Sequence, residues 1–101
     1  MSERTEDMCY NVLCCFRYGR RNAIHMKDLA KYNSLSTREL RKVIELLRRK
    51  GVCIVSDEKG YYFPDNAEDL RKYIKKVEQT AISTFYTLRT AKEELHKYET
   101  E

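Results

Sequence analysis

Apolar residues recur at helical spacing in four stretches of this chain, and one further stretch is a run of β-branched residues. The clearest helical stretch is residues 36–50. Its apolar positions follow the i, i+3, i+4, i+7 spacing of a single helix face. They are Leu40, Val43, Ile44 and Leu47. Ser36 with Glu39 three residues later forms a capping box, and Gly51 supplies the left-handed residue that commonly ends a helix. The pattern therefore predicts a helix with a defined start and end.

Two further helices are predicted before this one. The first covers residues 5–18 and ends at Gly19. Ala23-Ile24 is then a minimal strand, and a second helix begins at His25, a poorer cap than Ser36. The side chains that these two helices turn inward are Met8, Val12, Leu13, Phe16, Met26, Leu29 and Ala30.

The period of the pattern changes after Gly51. Residues 52–55 are the β-branched run, residues 57–60 are a turn cluster, and residues 61–63 form a second strand. Together they predict a β-hairpin, which Pro64 closes. The order of helix, short strand, helix, turn, capped helix and hairpin is that of a winged helix-turn-helix.

Residues 66–98 contain neither glycine nor proline and predict a long helix of about 50 Å. Its apolar residues alternate steps of four and three, which is a heptad-like seam. Because the seam is too long for one small domain to cover, we expect a homodimer through this helix. The residues assigned to dimerisation are Leu70, Ile74, Val77, Ala81, Leu88 and Leu95. The alternative is a monomer whose long helix folds back across the first helix through Tyr73, Ile74 and Val77.

The charge of the chain is unevenly distributed. A length of 101 residues fits one domain, or one small domain with an appendage. Residues 1–50 carry 12 Lys and Arg against 6 Asp and Glu, whereas residues 51–101 carry 8 against 10. The basic N-terminal half indicates a polyanionic partner.

Most of the outward positions of helix 36–50 are cationic. At about 100° per residue, the side chains that point away from its apolar stripe are Arg38, Arg41, Lys42, Glu45 and Arg49. The face is either simply solvated or a contact surface for a polyanion. Another small basic cluster, Arg17, Arg20 and Arg21, either touches phosphate or complements the dipole of the first helix.

Several classes of protein are not indicated by the sequence. No run of about 18 apolar residues encodes a membrane span, and the N-terminus lacks the apolar core of a signal peptide, so we expect a cytoplasmic protein. The four cysteines lack C-x-x-C spacing and are interpreted as reduced hydrophobic residues rather than as metal ligands with His25. Paired carboxylates, a glycine-rich phosphate loop and a catalytic triad are missing from the pattern. We therefore expect no catalytic residue, metal, cofactor or small-molecule effector.

Four segments together carry a resemblance to a known family. They are Ile24–Ala30, Leu35–Arg41, Leu47–Gly51 and Lys59–Tyr62. They resemble the winged-helix domain of biotin-operon-repressor-type regulators, and more closely small prophage-encoded winged-helix proteins of Gram-positive bacteria. The resemblance covers residues 5–64 and leaves residues 65–101 as a separate C-terminal helix. It implies a mainly α fold with a small β-hairpin.

The chain departs from the pattern of this family at two places. His25 stands where the family usually has Ser or Thr at the start of the second helix. The tip of the wing carries Asp57 and Glu58 with only Lys59, whereas wings that contact DNA tend to be basic.

The resemblance implies sequence-specific binding of double-stranded DNA by a phage or prophage transcriptional regulator or replication accessory protein. Helix 36–50 would enter the major groove with its N-terminal residues at the base edges. Arg38 is expected to read guanine, while Arg49 and Lys27 contact the backbone. The residues assigned to DNA are Lys27, Ser36, Thr37, Arg38, Arg41, Lys42, Arg49 and Lys59. The alternative is a winged-helix module that docks on proteins without binding DNA, which the acidic wing tip would suit.

Overall fold

The fold is mainly helical, with one small antiparallel hairpin and a long C-terminal helix, as predicted. A computed structural model describes residues 3–100. Glu101, the last residue of the predicted segment 65–101, lies outside the described residues, as do Met1 and Ser2. The chain divides into two compact units, one ending at Leu70 and the other beginning at Arg71.

Four α-helices and two strands make up the described chain. In order they are α1 (Glu3–Leu13), α2 (Met26–Tyr32), α3 (Thr37–Arg49), β1 (Val55–Asp57), β2 (Gly60–Tyr62) and α4 (Ala67–Glu99), with a 3-10 turn at Arg20–Asn22 between α1 and α2. Between residues 3 and 100, no helix combines the length and the apolar character that crossing a membrane requires.

The apolar faces of α1, α2 and α3 meet in one core. The predicted stripe of α3 is buried throughout, from Leu40 to Leu47. The predicted inward residues of α1 and α2 divide into two sets. Val12, Phe16, Leu29 and Ala30 are buried, whereas Met8, Leu13 and Met26 are half-buried against the core. The core therefore fixes which face of α3 remains outside.

The first helix ends at Leu13, so the prediction of a helix over residues 5–18 was wrong at its C-terminal end. Residues 17–19 pair instead with the segment that follows β2. The Phe63 N–H donates to the Arg17 carbonyl at 2.9 Å, and the Gly19 N–H donates to the Phe63 carbonyl at 2.8 Å. These bonds require an extended backbone at residues 17–19. A helix that continued to residue 18 could not form them.

The wing is an antiparallel hairpin with a two-residue loop at Glu58-Lys59. Val55 faces Tyr62 and Asp57 faces Gly60. The predicted minimal strand at Ala23-Ile24 is present only as an isolated bridge, in which Ile24 exchanges backbone hydrogen bonds with Tyr61 at 2.9 and 3.0 Å. Gly60 is needed here, since its φ is +125° and a Cβ would overlap the Ile24 carbonyl.

The predicted strand at residues 52–55 was displaced by three residues. The Val52 N–H donates to the Leu47 carbonyl at 3.1 Å, which holds this segment against the end of α3. The Ile54 carbonyl then accepts two hydrogen bonds from the Arg48 guanidinium, at 3.0 and 2.8 Å. Pairing with β2 therefore starts only at Val55.

The long helix α4 runs from Ala67 to Glu99, within one residue of the predicted range 66–98. Asn66 caps its start, with Oδ1 accepting the Asp69 N–H at 2.8 Å. The side chains from Ile74 onward in the described part of α4 are exposed.

Candidate nucleic-acid interface

The start of α3 is fixed by the predicted capping box. Ser36 Oγ accepts the Glu39 N–H at 3.1 Å, and Glu39 Oε1 accepts the Ser36 N–H at 3.1 Å. The hydrogen bond from the Ser36 backbone, followed by that from its side chain, lowers the pKa of Glu39. Ser36, one of the residues assigned to DNA, thus uses its hydroxyl oxygen to hold the first turn. This cap fixes the orientation of the residues that follow it in α3.

The outward face of α3 presents basic side chains over its first two turns. Arg38, Arg41 and Lys42 are exposed, and Thr37 beside them is half-buried. Glu39 stands among them, and the charge of Lys42 helps to lower the pKa of its carboxylate. Among residues 3–100, no hydrogen bond or salt bridge from the side chain of Arg38 or Arg41 is made. Both guanidinium groups are therefore available to an anion in solvent.

The last turn of α3 uses its charges within the protein. Arg49 Nη2 lies 2.8 Å from Glu45 Oε1, in an exposed i, i+4 pair. This contact offsets part of the negative charge of Glu45 on the basic face while no polyanion is bound. Arg48 points to the wing, where it bonds the Ile54 carbonyl and lies 6.0 Å from the centre of the Tyr61 ring. Both arginines of this turn therefore have partners within the protein.

The remaining residues assigned to DNA lie on α2 and on the wing. Lys27 is exposed in the first turn of α2, and its N–H donates to the Nδ1 atom of His25 at 3.3 Å. His25 therefore caps α2 as predicted. Lys59 is exposed in the wing loop, and its N–H donates to Asp57 Oδ1 at 2.8 Å.

The acidic tip of the wing is held by an arginine for which the sequence indicated a different role. Arg20 Nε lies 2.7 Å from Asp57 Oδ2, and Arg20 Nη2 lies 2.6 Å from Glu58 Oε1. We call this three-residue contact the wing clamp. It joins the 3-10 turn to the hairpin and brings one positive charge to two negative charges.

Asp57 is the centre of the wing clamp. Besides Arg20, its carboxylate accepts the Lys59 N–H and, at 3.2 Å, the Tyr62 hydroxyl. Burial alone would raise the pKa of Asp57, but the hydrogen bonds from Arg20 and Lys59 outweigh it and lower that pKa. Burial, with the Asp57 charge beside it, raises the pKa of Tyr62 to about 12.

The other two arginines of the N-terminal basic cluster also contact the protein itself. Arg17 Nη1 donates to the carbonyls of Cys14 and Phe16 at 3.3 and 3.2 Å. Arg21 Nη1 lies 3.3 Å from Asp65 Oδ2. The sequence signal for the contacts of Arg20 and Arg21 was the matching set of acidic residues at 57, 58 and 65. Interpreting each charge cluster by itself did not connect them.

The residues assigned to dimerisation lie along α4. Leu70 is half-buried, and Ala81 is exposed. Ile74, Val77, Leu88 and Leu95 each leave between 46 and 57% of their surface exposed. This row of apolar side chains is therefore open within the described chain.

The thiols and the acidic side chains do not converge on a metal site. Cys9 is buried, whereas Cys14 and Cys53 are exposed as free thiols. Within residues 3–100, no group of three or more His, Cys, Asp and Glu side chains is arranged to hold a metal ion. Comparison with models of protein families, with curated proteins and with solved structures finds no match for this chain.

Proposed function

We propose that this protein binds double-stranded DNA in a sequence-specific manner, with the N-terminal half of α3 in the major groove. The observation that carries the proposal is the pair of exposed guanidinium groups, Arg38 and Arg41, in the first turns of a helix whose opposite face is buried. A helix of this kind fits the major groove, and helix-turn-helix proteins present the N-terminal residues of their second helix to base edges.

Arg38 is the residue that we assign to base reading. It lies in the first turn of α3, and arginine binds guanine by donating to both O6 and N7. Arg41 and Lys42 follow on the same exposed face and are assigned to a neighbouring base or to phosphate. Thr37, the first residue of α3, is also assigned to contact with DNA.

Backbone contacts are assigned to the edges of this surface. Lys27 on α2 and Arg49 at the end of α3 are the phosphate ligands, and Lys59 on the wing is a third. Arg49 must exchange its contact with Glu45 for phosphate. The exchange is inexpensive, because an exposed i, i+4 pair contributes only about 0.3–0.5 kcal/mol.

The resemblance to prophage-encoded winged-helix proteins extends the proposal to a biological role. A DNA-binding protein of about 12 kDa with this organisation would control transcription or replication at the sites that it recognises. In the alternative role, the same winged helix docks on a protein partner.

The proposal is tested by selecting bound sequences from a pool of random duplexes and measuring the Kd of the selected site at several salt concentrations. Arg38→Ala should cost about 1–3 kcal/mol and relax the preference at one base pair. Arg49→Ala should weaken binding to all sequences alike and reduce the salt slope by about one.

Arg89→Ala is the matched control, because Arg89 also makes an exposed i, i+4 pair but lies on α4. It should leave both the affinity and the salt slope unchanged. If Arg38→Ala has no larger effect than Arg89→Ala, the basic face of α3 is only solvated. Failure of the wild-type protein to enrich any duplex would favour the docking alternative.

A further inference from the structure

Exposed apolar side chains occur along much of α4. Eight large apolar or aromatic side chains of α4 keep between 46 and 71% of their surface exposed. They are Ile74, Val77, Ile82, Phe85, Tyr86, Leu88, Leu95 and Tyr98. Ile74, Val77, Leu88, Leu95 and Tyr98 lie on the seam and Phe85 lies beside it, and an exposed apolar row of this kind marks an interaction site.

The size pattern along the seam limits how a second copy can cover it. Large side chains occur near both ends of the seam, whereas the middle has Ala81 and Thr84, and Ala91 follows. In a parallel, in-register pair, each residue of the seam faces its own copy. Ala81, Thr84 and Ala91 would then face small residues, which leaves voids between layers of paired large residues.

An antiparallel pair removes the mismatch at Ala91 in one register, and confines the small residues to one region in the middle of the seam. We propose that α4 pairs with α4 of a second copy in antiparallel orientation, about a two-fold axis between residues 82 and 83. In that register Ile74 faces Ala91 of the second copy, and Val77 faces Leu88. The remaining layers are Leu70 with Leu95 and Ala81 with Thr84. Ala91 thus meets a large residue, and the small middle layer of Ala81 and Thr84 is flanked by the exposed Phe85.

Neighbouring antiparallel registers fit less well. A shift of one heptad in one direction opposes Ala81 to Ala91 of the second copy, so Ala91 no longer meets Ile74, and it leaves Leu70 beyond the end of the second helix. A shift in the other direction leaves Leu95 and Tyr98 beyond the end of the second helix, although both are exposed apolar side chains that need cover. The register about residues 82 and 83 uses the whole helix.

The charges of α4 favour the same orientation. Residues 70–77 carry four basic side chains and no acidic one, whereas residues 93–99 carry three acidic side chains and one lysine. Antiparallel pairing brings the basic segment of one helix to the level of Glu93 and Glu94 of the other. Parallel pairing places the two basic segments side by side and opposes Glu94 to Glu99. In the antiparallel register Lys92 lies between Arg71 and Glu78 of the second copy, so its own contribution nearly cancels.

Orientation can be read from the native sequence by chemical cross-linking. Unlabelled and ¹⁵N-labelled protein are refolded together and treated with a short lysine-reactive cross-linker, so that mixed-isotope products report contacts between copies. The proposed register gives mixed Lys75–Lys92 products, because these residues lie two levels apart on the same side of the pair. A parallel pair gives mixed Lys92–Lys97 products instead, and that result would overturn the proposal.

The register is tested by charge complementation, with mass measured by light scattering. Val77→Glu alone and Leu88→Lys alone should each reduce the dimer to monomer at micromolar concentration. Mixing the two variants should restore the dimer mass, because the introduced carboxylate and the introduced ammonium group then face each other in one layer. Mixing Val77→Glu with Leu95→Lys is the matched control and should not restore it.

Gln79→Glu adds an acidic side chain on the opposite face of α4 and should leave the dimer mass unchanged. Equal behaviour of the two mixtures would contradict the register. A monomer mass for the wild-type chain at high micromolar concentration would contradict pairing altogether and support the folded-back alternative. None of these measurements depends on whether α3 binds DNA.

Discussion

Replacement of Leu40 by Ala tests whether the buried stripe of α3 holds the basic face outward. Leu40 is fully buried in the core to which α1, α2 and α3 contribute. Removing its three terminal carbons loses roughly 2 kcal/mol of transfer free energy. A residual cavity on the order of 50 Å³ adds about 1 kcal/mol at ~24 cal/mol per Å³. We therefore expect the free energy of unfolding to fall by about 3 kcal/mol.

That loss is large for a unit of this size. At roughly 0.05–0.15 kcal/mol per residue, about 70 residues give roughly 3.5–10 kcal/mol of total stability. The measurement is hydrogen exchange of the slowest amides in α3, because far-UV circular dichroism also records α4. Leu46→Ala is the matched control, since it deletes the same atoms on the same helix from a half-buried position. Its expected cost is about 1 kcal/mol. If the two variants differ by less than about 0.5 kcal/mol, burial of the stripe does not fix the orientation of α3, and Arg38 loses its assignment as the base-reading residue.

Three further predictions concern the wing. Because the pKa of Asp57 is lowered from its ordinary value of 3.8, its carboxylate stabilises the folded protein above that pH, and this stabilisation is lost as the pH falls further. The free energy of unfolding of Asp57→Asn should therefore decrease less steeply with falling pH than that of the wild type. Because the pKa of Tyr62 is raised to about 12, its neutral hydroxyl stabilises the folded protein fully below pH ~10, and this stabilisation is lost as the pH rises toward 12. Tyr62→Phe should remove that loss of stability from alkaline unfolding curves. Gly60→Ala should lower the free energy of unfolding by at least about 2 kcal/mol through overlap with Ile24, whereas Gly51→Ala, with no atom within 4 Å of the added Cβ, should cost about 1 kcal/mol. Similar unfolding free energies for the two glycine variants would show that Ile24 moves away freely.

The elements that could be predicted are those whose instructions are local in sequence. Ser36 and Glu39 cap α3 within one turn, and Gly51 ends the segment with a φ of +97°. The start of α4 at Asn66 is equally local. In each case, the residue that determines the boundary lies within four positions of it. Intrinsic preferences and tertiary contacts agree at these boundaries, and the sequence is sufficient there.

The boundaries that could not be predicted depend on contacts between different elements. The end of α1 is set by Phe63, which accepts and donates hydrogen bonds across more than 40 positions of sequence. The start of β1 is set by Arg48, whose guanidinium occupies the Ile54 carbonyl. Periodicity carries no information about either contact. Hydrophobic pattern therefore located the core of each element but not where a neighbouring element stops it.

The same distinction separates the two kinds of arginine in the candidate site. In the sequence, the cations of α3 form one continuous basic face. In the folded chain, Arg48 bonds the Ile54 carbonyl and Arg49 pairs with Glu45. Within residues 3–100, the exposed arginines of α3 that have no such partner are Arg38 and Arg41. The wing clamp acts in the same way at the hairpin, because Arg20 offsets part of the acidic tip that had argued for a protein partner. Internal pairing thus reduces the anionic charge at the wing and leaves, within the described chain, the unpaired guanidinium groups of α3 in its N-terminal half, the part of the helix to which the proposed DNA contact is assigned.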